Sequence, residues 1–136
     1  MRGRWFLGLL MMFTLFPLVE LLVLIELGKH IGSLNTVLVI LLTGVVGAAL
    51  ARSQGLTVLG RMHMRLQQGE LPGDELIDGG LVLIGAAFLI TPGLITDLAG
   101  FSLVVPFTRG VFRQLLKRRL MHWVGSGVTT FRIHRP

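Results

Sequence analysis

The sequence predicts an all-α membrane protein: a two-helix transmembrane hairpin, a Pro-Gly-broken re-entrant helical hairpin and a basic amphipathic C-terminal helix. Three observations carry this. Of 136 residues, 52% are hydrophobic and only 15% charged, with a mean hydropathy of +0.76, whereas a soluble domain has roughly a quarter of its residues charged. The apolar residues gather into three long runs, and the longest is interrupted by Pro92-Gly93. Seven of the thirteen Lys and Arg fall within residues 109–135, a stretch without Asp or Glu.

The first run, residues 5–27, would measure ~35 Å as a helix, enough to cross a ~30 Å hydrocarbon core. Trp5 stands where an interfacial aromatic belongs. Arg2 and Arg4 give a basic start, but the run exceeds a signal-peptide core and no small-x-small cleavage site follows, so it is expected to stay as an anchor. Residues 28–33 break the run as a short turn, with Ser33 or Asn35 placed to cap the next helix. The second run, residues 34–51, has about the minimum length for a span. It carries Gly44, Gly47, Ala48 and Ala51, the small-xxx-small spacing that lets helices approach in lipid. That face is expected to pack the first two helices together or to serve self-association.

Residues 52–80 read as a polar connection containing a short helix near 57–68, and Leu71-Pro72-Gly73-Asp74 as a turn into the next helix. Asp74 suits the positive end of that helix. The third run, residues 81–106, is broken at Pro92, which removes a backbone donor and disfavours helix at Thr91. The halves, ~15–18 Å each, are too short to cross alone. Under the positive-inside rule Arg2 and Arg4 hold the N-terminus in the cytoplasm, and Arg52, Arg61 and Arg65 place residues 52–80 on the same side. A third full crossing would export the basic tail; a re-entrant hairpin with Pro92-Gly93 at its tip keeps it inside. Phe112, Leu115, Leu116, Leu120 and Trp123 then recur at helical spacing, with Arg113, Lys117, Arg118 and Arg119 among them. This pattern predicts an interfacial helix whose basic residues meet anionic headgroups. Residues 125–136 have no periodicity and are expected to be flexible. The chain thus divides into a membrane domain, residues 1–108, and a basic segment, residues 109–136.

The motifs, taken in order, are Pro17-Leu18-Val19-Glu20, Gly28 with Gly32, and Thr43-Gly44 with Gly47. Arg52-Ser53-Gln54-Gly55 follows, then Gly69-Glu70-x-Pro72 with Asp78-Gly79. Last come Pro92-Gly93-x-x-Thr96-Asp97-x-x-Gly100 and Pro106-x-x-Arg109. As an ordered set over about residues 15–112 they resemble the FxsA family of small bacterial inner-membrane proteins. The resemblance implies a multi-pass inner-membrane location, a cytoplasmic C-terminal tail and no known enzymatic activity. It also implies suppression of F-plasmid phage exclusion on overproduction, by titration of a plasmid-encoded exclusion protein in which the tail takes part. The tail lies outside the matched region.

The polar residues at membrane depth have two readings each. Glu20 is a hydrogen-bonded carboxyl satisfied by backbone groups freed at the Pro-Gly break, or a proton or ion site facing Asp97. Asp97, with Thr96, caps the second half-helix, or the same half-helix end receives an anion or substrate. The structural reading is favoured for both. Arg52 is expected to snorkel to lipid phosphate, with an acidic partner in the polar loop as the alternative, and Glu26 with Lys29 to form an interfacial pair. His30, His63, His122 and His134 are dispersed, no cysteine occurs, and no phosphate loop or nucleophile–base pattern appears. No cofactor, metal, catalytic residue or nucleic-acid partner is expected. The expected function is non-enzymatic interaction with lipid or a protein partner; the alternative is a small proton- or ion-coupled transporter using Glu20 and Asp97.

Overall fold

A computed structural model describes residues 2–124; the stretch 125–136, expected above to be flexible, lies outside the described residues. Five helices build the chain: α1 (Arg2–Ile31), α2 (Ser33–Gln67), α3 (Gly73–Ile90), α4 (Leu94–Val104) and α5 (Pro106–Val124). No strand occurs among the described residues. The protein is an all-α membrane protein, in which α1 and α2 are long and apolar enough to cross a bilayer.

Helix α1 is exposed on every side over its first half; Trp5 and Phe13 are 80% and 83% accessible, as suits a helix whose solvent there is lipid. Its contacts run along Glu20, Val23, Leu24, Leu27 and Gly28, a stripe at i, i+3, i+4, i+7, i+8. The turn expected over residues 28–33 shrinks to Gly32, because Gly28-Lys29-His30-Ile31 continue α1. Gly32 has φ 90°, a region glycine enters without strain. Neither Ser33 nor Asn35 caps α2: the Gly32 carbonyl accepts from the Thr36 amide at 3.0 Å and from Thr36 Oγ1 at 2.8 Å, while Asn35 donates to the Ile31 carbonyl. Glu26 and Lys29 form the expected exposed pair at 3.1 Å.

Helix α2 departs from expectation more strongly. It does not end near residue 51 but continues through Arg52 to Gln67, so the polar connection reduces to residues 68–72. Nothing in that stretch stops a helix; Gly55 and Gly60 cost only about 1 kcal/mol each. Packing on α3 offsets them, for Val58 is 2% accessible and lies against Gly79. The helix ends where Gly69 takes φ 73°. The Glu70 amide then donates to the Arg65 carbonyl and the Gly69 amide to that of Leu66, closing α2 with a Schellman motif.

Helices α3 and α4 fold back on each other. Gly85 and Gly100, each seven residues from the Pro92-Gly93 break, bring their backbones together: a methyl on Gly100 would lie 2.8 Å from the Gly85 carbonyl, and one on Gly85 3.0 Å from that of Gly100. A kinked rod cannot pair residues symmetrically about its kink, so this element is a helical hairpin. The small-residue face of α2 meets this hairpin, not α1: a side chain at Gly47 would run into Leu89 of α3. The spacing of small residues marks a close approach without naming the partner. Ala51, Leu89 and Val104 form the core where α2, α3 and α4 meet. At Val105 the chain turns by 79° into α5, which opens on Pro106, a residue suited to the first helical position.

Gly100→Val and Gly85→Val are therefore expected to destabilise the hairpin by about 1–3 kcal/mol through overpacking. Gly44→Ala, where a methyl meets nothing within 4 Å, does not destabilise and gains up to about 1 kcal/mol of helix propensity. Thermal unfolding in detergent followed by circular dichroism checks this; equal midpoints for all three variants would contradict the close helix approach.

Candidate functional site

The broken end of α4 begins with amides that have no partner within the helix. Glu20 of α1 supplies one. The Ile95 and Thr96 amides donate to Glu20 Oε1 at 2.8 and 3.2 Å, and Thr96 Oγ1 lies 3.2 Å from the same oxygen. Glu20 is 5% accessible although Val19 and Leu21 on either side of it are exposed, so its carboxylate is inserted into the hairpin tip. A carboxylate at a helix N-terminus is also favoured by the helix dipole. Gly93 makes the approach possible, since any side chain there would collide with the Glu20 carboxylate. Its backbone is extended, with φ 176°, so close approach and not conformation demands glycine. Pro92 and the extended Thr91 end α3 just before it.

Thr96 and Asp97 were expected to cap α4, and they do not. The helix starts at Leu94, which places both inside its first turns rather than at the extended cap position. Thr96 Oγ1 lies 3.1 Å from the Thr91 and Gly93 carbonyls. Asp97 turns to α2, where Thr43 Oγ1 lies 2.6 Å from Asp97 Oδ2 and donates to it. Glu20 and Asp97 thus hold the hairpin from two sides, one to each long helix. Glu20 Oε2 and Asp97 Oδ1 are buried and have no hydrogen-bond partner among the described residues.

At the open end of the hairpin a second polar group assembles. Asp78 of α3, with a side chain 3% accessible, has Arg113 Nη1 at 3.0 Å, Arg109 Nε at 3.7 Å and Arg61 Nη1 at 4.0 Å. Arg109, equally buried, also donates to the Val104 carbonyl at 3.1 Å, closing the C-terminus of α4. Burial pushes the Arg109 guanidinium down from its ordinary pKa; Asp78 opposes that shift, while Arg61 and Arg113 add to it. Around this centre Arg65 reaches Glu70 at 2.9 Å and Glu75 at 3.2 Å, and Lys117 reaches Asp74 at 2.8 Å. The hydrogen bond from Lys117 holds the Asp74 carboxyl below its usual 3.8.

This corrects the lipid-facing assignment of Arg113 and Lys117: their heads dock on acids of α3. Arg118 and Arg119 remain exposed. The sequence reading missed Asp78, Arg61, Arg65, Arg109 and Thr43 as partners. Residues 109, 113 and 117 recur every four positions, as do 61 with 65 and 74 with 78. Three helix faces of complementary charge were the available signal. Arg52 makes no ion pair among the described residues, so the acidic partner considered for it is not found there.

The sequence of residues 11–119 matches the family described as FxsA cytoplasmic membrane protein. The chain belongs to the FxsA family. It is 43% identical over 108 residues to the UPF0716 protein YtzA of Bacillus subtilis strain 168, covering 79% of this chain and 85% of that protein. The UPF0716 protein FxsA of Escherichia coli K12 is 31% identical over 92 residues, 68% of this chain and 58% of that protein. The Serratia marcescens protein of the same name is 31% identical over 103 residues, 76% and 73% of the two chains. No solved structure matches. The family motifs quoted above pair in space: Glu20 with Gly93 and Thr96, Thr43 with Asp97, Asp78 with Arg109.

Glu20→Ala leaves the Ile95 and Thr96 amides without an acceptor and is expected to cost several kcal/mol, and Glu20→Gln less, since an amide oxygen still accepts; detergent melts of the two variants rank them. Asp78→Asn leaves Arg109 buried beside other guanidinium groups, and breaking such a pair costs about 3–5 kcal/mol. Faster tryptic cleavage after Arg113 and Lys117 reports the loss, and wild-type cleavage rates would refute the docking. Asp74, with its folded pKa depressed, supports docking above its unfolded pKa and loses that support as pH falls through the lower folded value. Cleavage after Lys117 by an acid-active protease should therefore rise below pH ~4 in the wild type and not in Asp74→Asn.

Proposed function

We propose that this protein is a non-enzymatic organiser of the bacterial cytoplasmic membrane, acting through lipid or a protein partner, with both termini in the cytoplasm. The observation that carries this reading is the two-sidedness of α5. Arg109, Arg113 and Lys117 dock on α3, while Val111 and Leu115, across the helix from them, stay exposed. A helix anchored on one side and apolar on the other sits in the membrane interface, and Arg118 and Arg119 are left to meet anionic headgroups. The basic residues near the ends of α1 and α2 favour the cytoplasmic side by the positive-inside rule. Suppression of phage exclusion on overproduction is carried over from the family resemblance. Self-association through the open part of the glycine face, near Gly44 and Ala48, is the competing use of that face.

A second reading, a small ion- or proton-coupled transporter, draws on the unpartnered Glu20 Oε2 and Asp97 Oδ1 at membrane depth. Flux in liposomes abolished by both Glu20→Gln and Asp97→Asn would favour it over the first.

The chain contains no cysteine, so single cysteines read topology cleanly. Ser33→Cys is expected to react with an impermeant thiol reagent in intact cells, and Gln114→Cys only after the membrane is opened. Labelling of Gln114→Cys from outside would overturn the orientation. A fluorophore on Leu115→Cys should shift to the blue as phosphatidylglycerol is added. Arg118→Gln with Arg119→Gln weakens that response by about 2 kcal/mol, at ~1 kcal/mol per basic residue.

A further inference from the structure

The small-residue face of α2 is only partly used. Gly47 and Ala51 are buried against α3, but Gly44 and Ala48 open onto a cleft of about 480 Å³ whose other wall is Val82, Ala86 and Ile90 of α3. The lining is almost wholly apolar, and a methyl built on Gly44 meets nothing within 4 Å, so the floor is open. From Gly44 the cleft runs eight residues along α2, or about 12 Å, and ends at Arg52. Of the three arginines on α2, Arg61 and Arg65 face carboxylates. Arg52 has no ion pair among the described residues, and it lies at the end of the cleft nearer the ionic cluster, the headgroup side.

We propose that this cleft binds one anionic phospholipid, with an acyl chain along Gly44 and Ala48 and its phosphate on the Arg52 guanidinium. An apolar cleft opening on the lipid face of α2 and α3 suits a hydrocarbon chain, and a cation without a counter-charge at its rim suits a phosphodiester. The charge at the rim selects the lipid over a helix from a second copy: a phosphodiester pairs with the Arg52 guanidinium. The site does not involve α5, so it stands or falls apart from the interfacial role of that helix.

The test uses the full chain carrying Trp5→Phe and Trp123→Phe, with Leu83→Trp as the reporter at the exposed rim of the cleft. In phosphatidylcholine vesicles, small mole fractions of acyl-brominated phosphatidylglycerol should quench the introduced tryptophan with an apparent affinity about fivefold above that of brominated phosphatidylcholine. That ratio corresponds to ~1 kcal/mol for one basic residue at the surface. Arg52→Gln should abolish the preference. Gly44→Leu, which fills the cleft without touching the α2–α3 contact, should reduce quenching by both lipids to the bulk level. Ala48→Leu fills it from the exposed rim if Gly44→Leu fails to fold. Equal quenching by the two lipids in the unsubstituted cleft overturns the proposal. So does a preference that survives Arg52→Gln, or efficient disulfide cross-linking of Ala48→Cys between copies, which would assign the cleft to self-association.

Discussion

A helix that ends inside an apolar medium leaves backbone amides with no solvent to receive them, and each such group costs several kcal/mol if unsatisfied. The hairpin of α3 and α4 carries this cost at its tip, where Pro92 and Gly93 break the chain. Glu20 meets it from another helix: one oxygen accepts from both the Ile95 and Thr96 amides. The rest of the membrane region depends on that contact. It is the main polar tie between α1 and the hairpin, and it requires glycine at position 93 because the carboxylate occupies the space of a side chain. Ionisable groups at membrane depth are costly wherever they lie; here the same group offsets a second cost that the fold has already incurred.

The other end of the hairpin is held by charge. Asp78 stands between Arg61 of α2 and Arg109 and Arg113 of α5, and Arg109 also closes the exposed carbonyl end of α4. A buried carboxylate of this kind contributes little net stability over an apolar substitute. Its consequence is orientation: it fixes which face of α5 looks inward. Because the basic residues at 109, 113 and 117 are turned to α3, Val111 and Leu115, on the opposite side of the helix, are turned away. An amphipathic helix free of the acids would present the opposite face.

Much of this was legible locally. Long apolar runs, the Pro-Gly break, the start of α3 after Pro72 and the basic helix after Pro106 all follow from composition and period. What stayed hidden were choices between neighbours. The small residues of α2 declare a close contact, but Leu89, which fills the space beside Gly47, lies 42 positions away and carries no mark of it. Thr96 and Asp97 look like a cap because both are capping residue types near a break. The cap came instead from Glu20, 75 positions earlier than Ile95. Arg113 and Lys117 were assigned to lipid because a basic helix beside a membrane has lipid as its default partner. The competing acids at 74 and 78 were visible, and the shared spacing of four was the overlooked sign.

The ionic contacts bear on topology independently of any count of positive charges. The end of α2, the start of α3 and the middle of α5 are held together by ion pairs of 2.8–4.0 Å. These three places are therefore held together at one end of the helix bundle. A third crossing by α3 and α4 would separate α5 from Asp78 by the ~30 Å thickness of that core. Contacts between side chains bring the chain back to the end of the bundle where α3 begins. Thr43, about 15 Å along α2 from Ser33 and a similar distance from Arg52, meets Asp97 midway along the apolar part of α2. The hairpin reaches that level of α2, finds its polar partners there, and folds back.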